Sequence, residues 1–217
     1  MDSCYPAQKA NFAATSPLDS RGFSSNRLAS EVSAEESIAI RTARLGDLRR
    51  LAQILANSFH PPVGWMMLAY PFLRLGIYED LRTRFLANSP HHVCLTAIAP
   101  SSSERVSTQE EITGIVELAL RSPTFPATNT VQSPYISNLA VSTYHRRQGI
   151  GRQLLLSCEP VAQEWGFQEI YLHVLENNEK AKQLYRSLGY QTEKVENTCA
   201  NILFKQPRRL LLRKRLS

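Results

Sequence analysis

The chain has 217 residues, of which 43% are hydrophobic and 20% are charged, a composition that excludes fibrous and wholly disordered proteins. Its length predicts one soluble domain that is large enough to bury a core. The net charge of +6 would suit nucleic-acid binding, but six basic residues and no acid fall within residues 205–215. The rest of the chain holds 19 basic and 19 acidic residues, so nucleic-acid binding is disfavoured.

Neither a bound metal nor a membrane span is expected. The spacing of the four cysteines matches no zinc site and no redox motif. The apolar stretch 51–73 has no Asp, Glu, Lys or Arg, but it contains Pro61 and Pro62, which would break a membrane-spanning helix.

The N-terminal segment, residues 1–37, shows no apolar period and is predicted to be disordered ahead of a single domain at 38–217. It is rich in Ser and Ala and poor in acids. That composition is compatible with an organelle transit peptide and equally with a disordered bacterial N terminus. We therefore expect a cytoplasmic protein, with the plastid as the alternative if the segment is a targeting peptide.

The predicted elements of the domain follow in the order β-α-α-β-β-β-α-β-α-β-β. They are a strand (38–42), a helix (48–59), an aromatic connection (60–78), a short helix (81–86), a hairpin (93–98 and 112–120), a strand (135–141), a helix from residue 150, a strand (169–175), a helix (178–189) and two closing strands (190–195 and 208–216). This mixture predicts an α+β or mixed α/β fold with helices on both faces of the sheet. The two closing strands are expected to be antiparallel.

Prolines and charges set two further expectations. Pro123, Pro126 and Pro134 predict an extended loop that cannot be a central strand. The basic last strand, 208–216, is interpreted as a sheet-edge strand that its charges guard against pairing with other chains.

The most informative stretch is residues 136–151, which predict a buried strand, a basic turn and the start of a helix. The first backbone N–H groups of a helix have no intrahelical partners and lie at the positive end of the helix dipole. Gly149 and Gly151 lack a Cβ, so a bulky anion could approach that backbone closely. The stretch therefore predicts a phosphate-binding turn, called here the anion cradle (residues 146–152).

Two motifs in this order resemble the GNAT superfamily of acyl-CoA N-acyltransferases over residues 38–216. The first is Arg146-Arg147-Gln148-Gly149-Ile150-Gly151, which follows the predicted strand. The second comprises Asn178, Ala181, Leu184-Tyr185 and Gly189-Tyr190 on the predicted helix after the next strand. The run from Trp165 to Phe167 and the residues around Tyr171 are similar to the plant-plastid and cyanobacterial branch.

The resemblance implies a mostly antiparallel twisted sheet in which the fourth strand (135–141) and the fifth strand (169–175) splay apart. It also implies acetyl-CoA as the acyl donor. The pantetheine arm would lie in that gap, against the backbone of residues 139–141, and the pyrophosphate would bind the anion cradle. The implied donor-binding residues are Leu139, Ala140, Val141, Arg146, Arg147, Gln148, Gly149, Ile150, Gly151, Arg152 and Asn178. Asn178 has a second possible role as a helix N-cap, which needs no ligand.

Tyr185 is implied as the acid that protonates the departing thiolate, with a core aromatic residue as the alternative. Val141 is implied as the backbone donor to the oxyanion. The family's histone acetyltransferase branch places a glutamate early in the fourth strand, where this chain has Tyr135. Glu117, an acid within an apolar strand, is the preferred replacement as general base, although an outward-facing strand residue would look the same. His173 and Glu176 are weaker candidates.

The resemblance implies an N-acetyltransferase in which an amine attacks the thioester directly in a ternary complex. The acceptor is expected to be a protein α-amino group, a lysine or a small amine. The absent glutamate leaves a non-catalytic acyl-CoA-binding sensor as the alternative. The aromatic connection at 60–78 could form the acceptor floor or a lid, pack over the sheet, or form a homodimer surface.

Overall fold

A computed structural model describes residues 38–59, 64, 66–87, 89–99, 110–122, 132–196 and 206–216. The predictions for residues 1–37, and those for Pro61, Pro62, Trp65, Pro123 and Pro126, lie outside these ranges. The helices and strands are β1 (Ala39–Thr42), α1 (Leu48–Phe59), α2 (Met66–Leu86), β2 (His92–Ala99), β3 (Glu111–Arg121), β4 (Ser133–Val141), α3 (Ile150–Glu164), β5 (Glu169–Leu175), α4 (Glu179–Ser187), β6 (Gln191–Glu196) and β7 (Arg209–Arg215). The predicted order and the mixed α+β class are confirmed.

The seven strands form one sheet in the order β1-β2-β3-β4-β5-β7-β6. All neighbouring strands are antiparallel except β4 and β5. The closing strands are therefore antiparallel, as expected, but β7 lies between β5 and β6, so the prediction of an edge strand is wrong. The basic side chains of β7 suggested an edge, yet Arg213 pairs with Glu169 at 2.7 Å and Lys214 pairs with Glu159 at 2.5 Å.

Helices cover the two faces of the sheet with separate apolar clusters. On one face, α3 and α4 pack through residues such as Leu154 and Tyr185 against Ile136 and Leu172. On the other face, α1 and α2 pack against the first strands, with Leu51 of α1 fully buried. Helix α1 forms because its apolar residues recur at helical spacing.

Helix α2 is much longer than predicted, since it runs from Met66 to Leu86 and includes most of the aromatic connection. Pro71 lies in its second turn, where its missing N–H removes one backbone hydrogen bond of the helix. The described side chains in its first half are not buried, and Leu68 and Phe72 are 83% and 76% exposed. A helix with apolar residues on several sides has no clear helical period, which is why the periodicity missed it.

Pro134 corrects a second expectation, because it lies within β4, a strand in the middle of the sheet. It pairs with Leu120 of β3, whereas the pairing of β4 with β5 starts at Tyr135. Pro134 therefore has a strand neighbour on one side only, the condition under which a sheet tolerates a proline.

Strand β4 is irregular on both of its sides. Its register against β3 shifts between Ile115 and Glu117, and Asn138, in the extra segment of β4, has a left-handed φ of 54°. Among the described residues, β4 pairs with β5 only at Tyr135–Tyr171 and Ile136–Leu172. Beyond these two pairs the two strands continue without pairing with each other. The gap between them is called here the opening.

Candidate functional site

The anion cradle forms where the chain turns from β4 into α3. Gly149 is the N-cap of the 15-residue helix and has a left-handed φ of 79°, and Arg147 has a φ of 70°. Gly149 thus adopts a backbone conformation that a residue with a side chain rarely adopts. The N–H groups of the first helical turn have no intrahelical acceptors, so the cradle presents free donors at the positive end of α3.

Gly151 places the cradle next to the opening. A Cβ built on Gly151 would lie 3.4 Å from Cδ2 of Leu184 and 3.8 Å from Cγ2 of Val141. The start of α3, the end of β4 and helix α4 therefore meet at this glycine. The two sequence motifs, 27 residues apart from Gly151 to Asn178, belong to one site.

The other cradle residues differ in what they can offer to a ligand. The Arg146 Nε donates to the carbonyl oxygen of Val141 at 3.2 Å, and its Nη2 lies 3.4 Å from Oγ of Ser58. Arg147 and Arg152 are exposed, and neither pairs with a carboxylate in the described part of the chain. Ile150 is buried in the core, so only its backbone could reach a ligand.

Helix α4 carries two of the predicted residues. Asn178 caps the helix, with its Oδ1 accepting a hydrogen bond from the Ala181 N–H at 3.2 Å, which confirms the capping role. Tyr185 is buried in the cluster between α3 and the sheet, with its ring edge-to-face against Tyr190 at a centroid distance of 5.8 Å. Burial raises the pKa of Tyr185 to about 12, so its phenol stays protonated near neutral pH.

Glu117 lies on the opposite face of the sheet, under α2, and is only 1% exposed. The alternative of an outward-facing, solvated side chain is therefore excluded. Its Oε2 accepts from Nδ2 of Asn138 at 2.5 Å and lies 3.4 Å from Nη2 of Arg84, and its Oε1 lies 3.4 Å from Nε2 of His92. Burial alone would raise the pKa of this carboxyl, but the contacts with His92, Arg84 and Asn138 outweigh burial and lower the pKa.

A second polar cluster on that face joins β4, β5 and β6. The Tyr135 hydroxyl lies 2.9 Å from Nδ1 of His173, and Nε2 of His173 lies 3.1 Å from Oε1 of Glu196. Burial lowers the pKa of His173, and Arg209 adds to this effect against the opposing carboxylate of Glu196. The imidazole is thus neutral at neutral pH and can accept a proton. Glu176, in contrast, pairs with Arg208 at the surface.

The sequence indicated Tyr135 and His173 separately but gave no sign that they touch. Their contact depends on the strand register, in which Tyr135 faces Tyr171 and His173 lies two residues further along β5. Side chains two residues apart on a strand share a face. Tyr135 and His173 therefore lie on the α2 side of the opening, and Tyr185 lies on the α3 side.

The described residues hold no group of three or more His, Cys, Asp or Glu side chains that could bind a metal ion. In the same part of the chain, no helix is both long and apolar enough to cross a membrane. The thiol of Cys158 is buried, which raises its pKa to about 12 and leaves it unreactive near neutral pH.

Residues 63–190 match the family described as the Acetyltransferase (GNAT) family. Curated relatives include GCN5-related N-acetyltransferase 10, chloroplastic, of Arabidopsis thaliana, which is 27% identical over 79% of this chain and 68% of the relative. GCN5-related N-acetyltransferase 5, chloroplastic, of the same plant is 29% identical over 83% of this chain and 59% of the relative. The chain thus spans about two thirds or less of the length of these relatives.

Solved structures with the same fold include Arabidopsis thaliana NAA60 in complex with acetyl-CoA, with a TM-score of 0.57, 19% identity and coverage of 83% of this chain and 99% of that chain. PaiA N-acetyltransferase from Thermoplasma acidophilum in complex with coenzyme A has a TM-score of 0.59, 19% identity and coverage of 82% and 99%. At these identities the structures support the fold.

Proposed function

The chain belongs to the acetyltransferase (GNAT) family, and we propose that it transfers the acetyl group of acetyl-CoA to a primary amine by direct attack in a ternary complex. The observation that carries this proposal is the opening between β4 and β5, with the anion cradle beside it. The acceptor amine is a protein α-amino group, a lysine or a small amine.

Acetyl-CoA fits this site in two parts. Residues 139–141 belong to the segment of β4 that has no β5 neighbour in the described structure, so backbone groups of Leu139 and Val141 can hydrogen-bond the pantetheine arm as a strand would. The pyrophosphate binds the N–H groups of residues 147–152, and the guanidinium groups of Arg146, Arg147 and Arg152 add positive charge beside it.

The departing thiolate needs a proton, and Tyr185 is the proposed donor. Its raised pKa of about 12 keeps the phenol protonated, and α4, which carries Tyr185, meets the start of α3 where Leu184 faces Gly151. The N–H of Val141 is the proposed donor to the oxyanion, because preorganised backbone donors stabilise such charge without a reorganisation cost.

The attacking amine must lose a proton, and the Tyr135–His173–Glu196 cluster is the proposed acceptor. The neutral imidazole accepts a proton through the Tyr135 hydroxyl, and Glu196 stabilises the imidazolium that forms. Glu117, the base expected from the sequence, has a lowered pKa, which makes its carboxylate a weaker proton acceptor than an ordinary glutamate. The cluster also removes the reason for a sensor without turnover, because it supplies the base that the absent glutamate left open.

We further propose that the protein acts in a plastid-type compartment. The similar curated relatives are named chloroplastic, which supports the plastid alternative over the cytoplasmic expectation. The N-terminal segment on which targeting would depend, residues 1–37, lies outside the described residues.

The decisive experiment incubates the purified protein with acetyl-CoA, a peptide library and a panel of small amines. Acetylated products are identified by mass spectrometry, and the free thiol of CoA is measured in parallel. Thiol release that requires an acceptor supports the proposal. Tight binding of acetyl-CoA without release in the presence of any acceptor would indicate a sensor instead.

A further inference from the structure

Glu117 is a carboxylate buried between the sheet and α2. An unpaired carboxylate at 1% exposure would be strongly destabilising, so its position depends on its partners. Three polar side chains surround it, and each belongs to a different element. Asn138 of β4 donates a hydrogen bond to it, and Arg84 of α2 and His92 of β2 each lie 3.4 Å from it.

Asn138 is the partner whose backbone is unusual. Its φ of 54° places it in the left-handed region, which costs energy for a residue with a Cβ, although asparagine tolerates it better than most residues. The residue lies where β4 carries one more residue than β3 between the Ile115–Ala140 and Glu117–Ser137 pairs. The side-chain amide of Asn138 donates to Glu117 at 2.5 Å, which offsets that cost.

The bulge at Asn138 determines the shape of the opening. Asn138 lies two residues after Ile136, the last residue of β4 that pairs with β5 in the described structure. It precedes residues 139–141, whose backbone faces the proposed pantetheine arm. A bulge increases the local twist and turns the strand away from its neighbour, so the direction of residues 139–141 depends on the conformation of Asn138.

We propose that Glu117 is a positioning residue, which holds the β4 bulge through Asn138 and so keeps residues 139–141 in the orientation that binds acetyl-CoA. This inference rests on the proposed function, because it assigns the donor site to the opening. Arg84 extends the role, since its Nη2 also pairs with Asp80 at 2.6 Å. Through Arg84 and Asn138, the Glu117 carboxylate therefore connects α2 to the bulge.

A double-mutant cycle between Glu117 and Asn138 tests the inference. Glu117→Ala removes the acceptor of the Asn138 amide, and we expect the KM for acetyl-CoA to rise about tenfold or more. Asn138→Gly adopts the left-handed conformation without needing that hydrogen bond. In the Glu117→Ala background it should therefore restore most of the acetyl-CoA affinity, whereas independent effects would simply add.

The cycle separates positioning from proton transfer. If Glu117 is the general base, Glu117→Ala lowers kcat at an unchanged KM, removes the acid limb of the pH profile of kcat/KM, and gains nothing from Asn138→Gly. That result overturns the inference. Asp80→Asn is the matched control, because it removes the other carboxylate partner of Arg84 without touching the bulge, and it should leave the KM for acetyl-CoA unchanged.

Folding is followed by urea denaturation of all four proteins of the cycle. If Glu117→Ala does not fold, Glu117→Met, which is close in size and also lacks an acceptor oxygen, replaces it, with direct calorimetric binding of acetyl-CoA as the readout. A smaller shift of the urea midpoint in the Asn138→Gly background supports the coupling even without turnover, and equal shifts refute it. Failure of the wild-type protein to bind acetyl-CoA would refute the proposed function and leave the Glu117–Asn138 coupling to be judged from the urea data.

Discussion

The Tyr135 hydroxyl lies 2.9 Å from Nδ1 of His173, at the place where β4 and β5 stop pairing. A phenol and an imidazole from neighbouring strands thus meet at the start of the opening, and Glu196 lies behind the imidazole. This arrangement lets a proton leave the opening along side chains of the sheet. It places the proposed base on one face of the sheet and the proposed acid, Tyr185, on the other.

The first prediction concerns His173 and pH. Its pKa is lowered from the ordinary value of 6.5. The imidazole therefore remains neutral and able to accept a proton until the pH falls to this lowered pKa, which lies below 6.5. The acid limb of kcat/KM, which reports the free enzyme, should therefore lie below pH 6.5. His173→Gln should lower kcat/KM by roughly 100-fold or more.

The stability of the protein should follow the same direction. A group whose folded pKa is lowered binds fewer protons in the native state than in the unfolded state. Its contribution to stability is therefore present above the unfolded pKa and is lost as the pH falls through the folded pKa.

His91→Gln is the control for His173→Gln, because His91 packs against Trp165 at a ring-centroid distance of 5.4 Å, away from the opening. An acid limb that persists in His173→Gln would exclude this residue as the base.

The second prediction concerns Tyr185 as general acid. Tyr185→Phe should lower kcat by roughly 100-fold and leave acetyl-CoA binding nearly unchanged, since only the hydroxyl is lost. With a pKa of about 12, the phenol should cause no alkaline loss of activity below about pH 11. Steady-state kinetics and calorimetry measure the two effects.

Tyr190→Phe is a matched control for Tyr185→Phe, because the two rings are in contact. The Tyr190 hydroxyl is buried and has no hydrogen-bond partner among the described residues. Its removal should therefore leave kcat unchanged and be neutral or stabilising. Equal kinetic effects of the two substitutions would indicate a shared packing role and no proton donor.

The third prediction separates the two glycines of the anion cradle. Gly149→Ala should destabilise the fold by roughly 1–2 kcal/mol, because the φ of 79° is left-handed. Gly151→Ala should fold normally, since its Cβ meets Leu184 Cδ2 at an ordinary 3.4 Å and alanine favours helices. Gly151→Glu should in contrast weaken acetyl-CoA binding, because it brings a carboxylate into the turn that receives the pyrophosphate.

Urea denaturation and calorimetry together check the glycine prediction. Gly46→Ala is the control, because no atom lies within 4 Å of its added Cβ and it lies outside the cradle. If Gly151→Glu binds acetyl-CoA like the wild-type protein, the pyrophosphate does not bind this turn.

The fourth prediction concerns Gly114 of β3, over which α3 packs. An added Cβ would lie 3.0 Å from Cδ1 of Leu154, 3.1 Å from Cγ2 of Ile150 and 3.2 Å from the carbonyl oxygen of Ala140. Gly114→Ala should therefore destabilise the protein by roughly 1–3 kcal/mol through overpacking. Gly76→Ala, in α2 with open space around it, should be stabilising by up to about 1 kcal/mol, and urea midpoints compare the two.

The features that the sequence predicted correctly depend on local signals. Asn178 caps α4 because its side chain accepts from the N–H three residues later, and Gly149 turns the chain into α3 at a positive φ. Capping and turn residues act on their own neighbours in the chain, so a single sequence carries the information. The turn into α3 and the N-cap of α4 could therefore both be predicted from the sequence.

The features that the sequence missed depend on contacts between distant segments. The position of β7 between β5 and β6 follows from register, and its basic residues are compensated by acids far away in the chain, such as Glu159 for Lys214. The Tyr135–His173 contact also needs the β4–β5 register. The burial of Glu117 could not be foreseen, because its polar partners Asn138, Arg84 and His92 come from three separate elements.

The two residue pairs that join β4 to β5 also give the protein a mechanical property. Four strands lie on one side of this seam and three on the other, so few backbone hydrogen bonds hold the two half-sheets together. A pantetheine arm lying along the opening would bridge the halves as a missing strand would. Anything that binds the native state alone raises its stability with concentration. The supply of acetyl-CoA would thus affect both the rate of acetyl transfer and how long each protein molecule survives proteolysis.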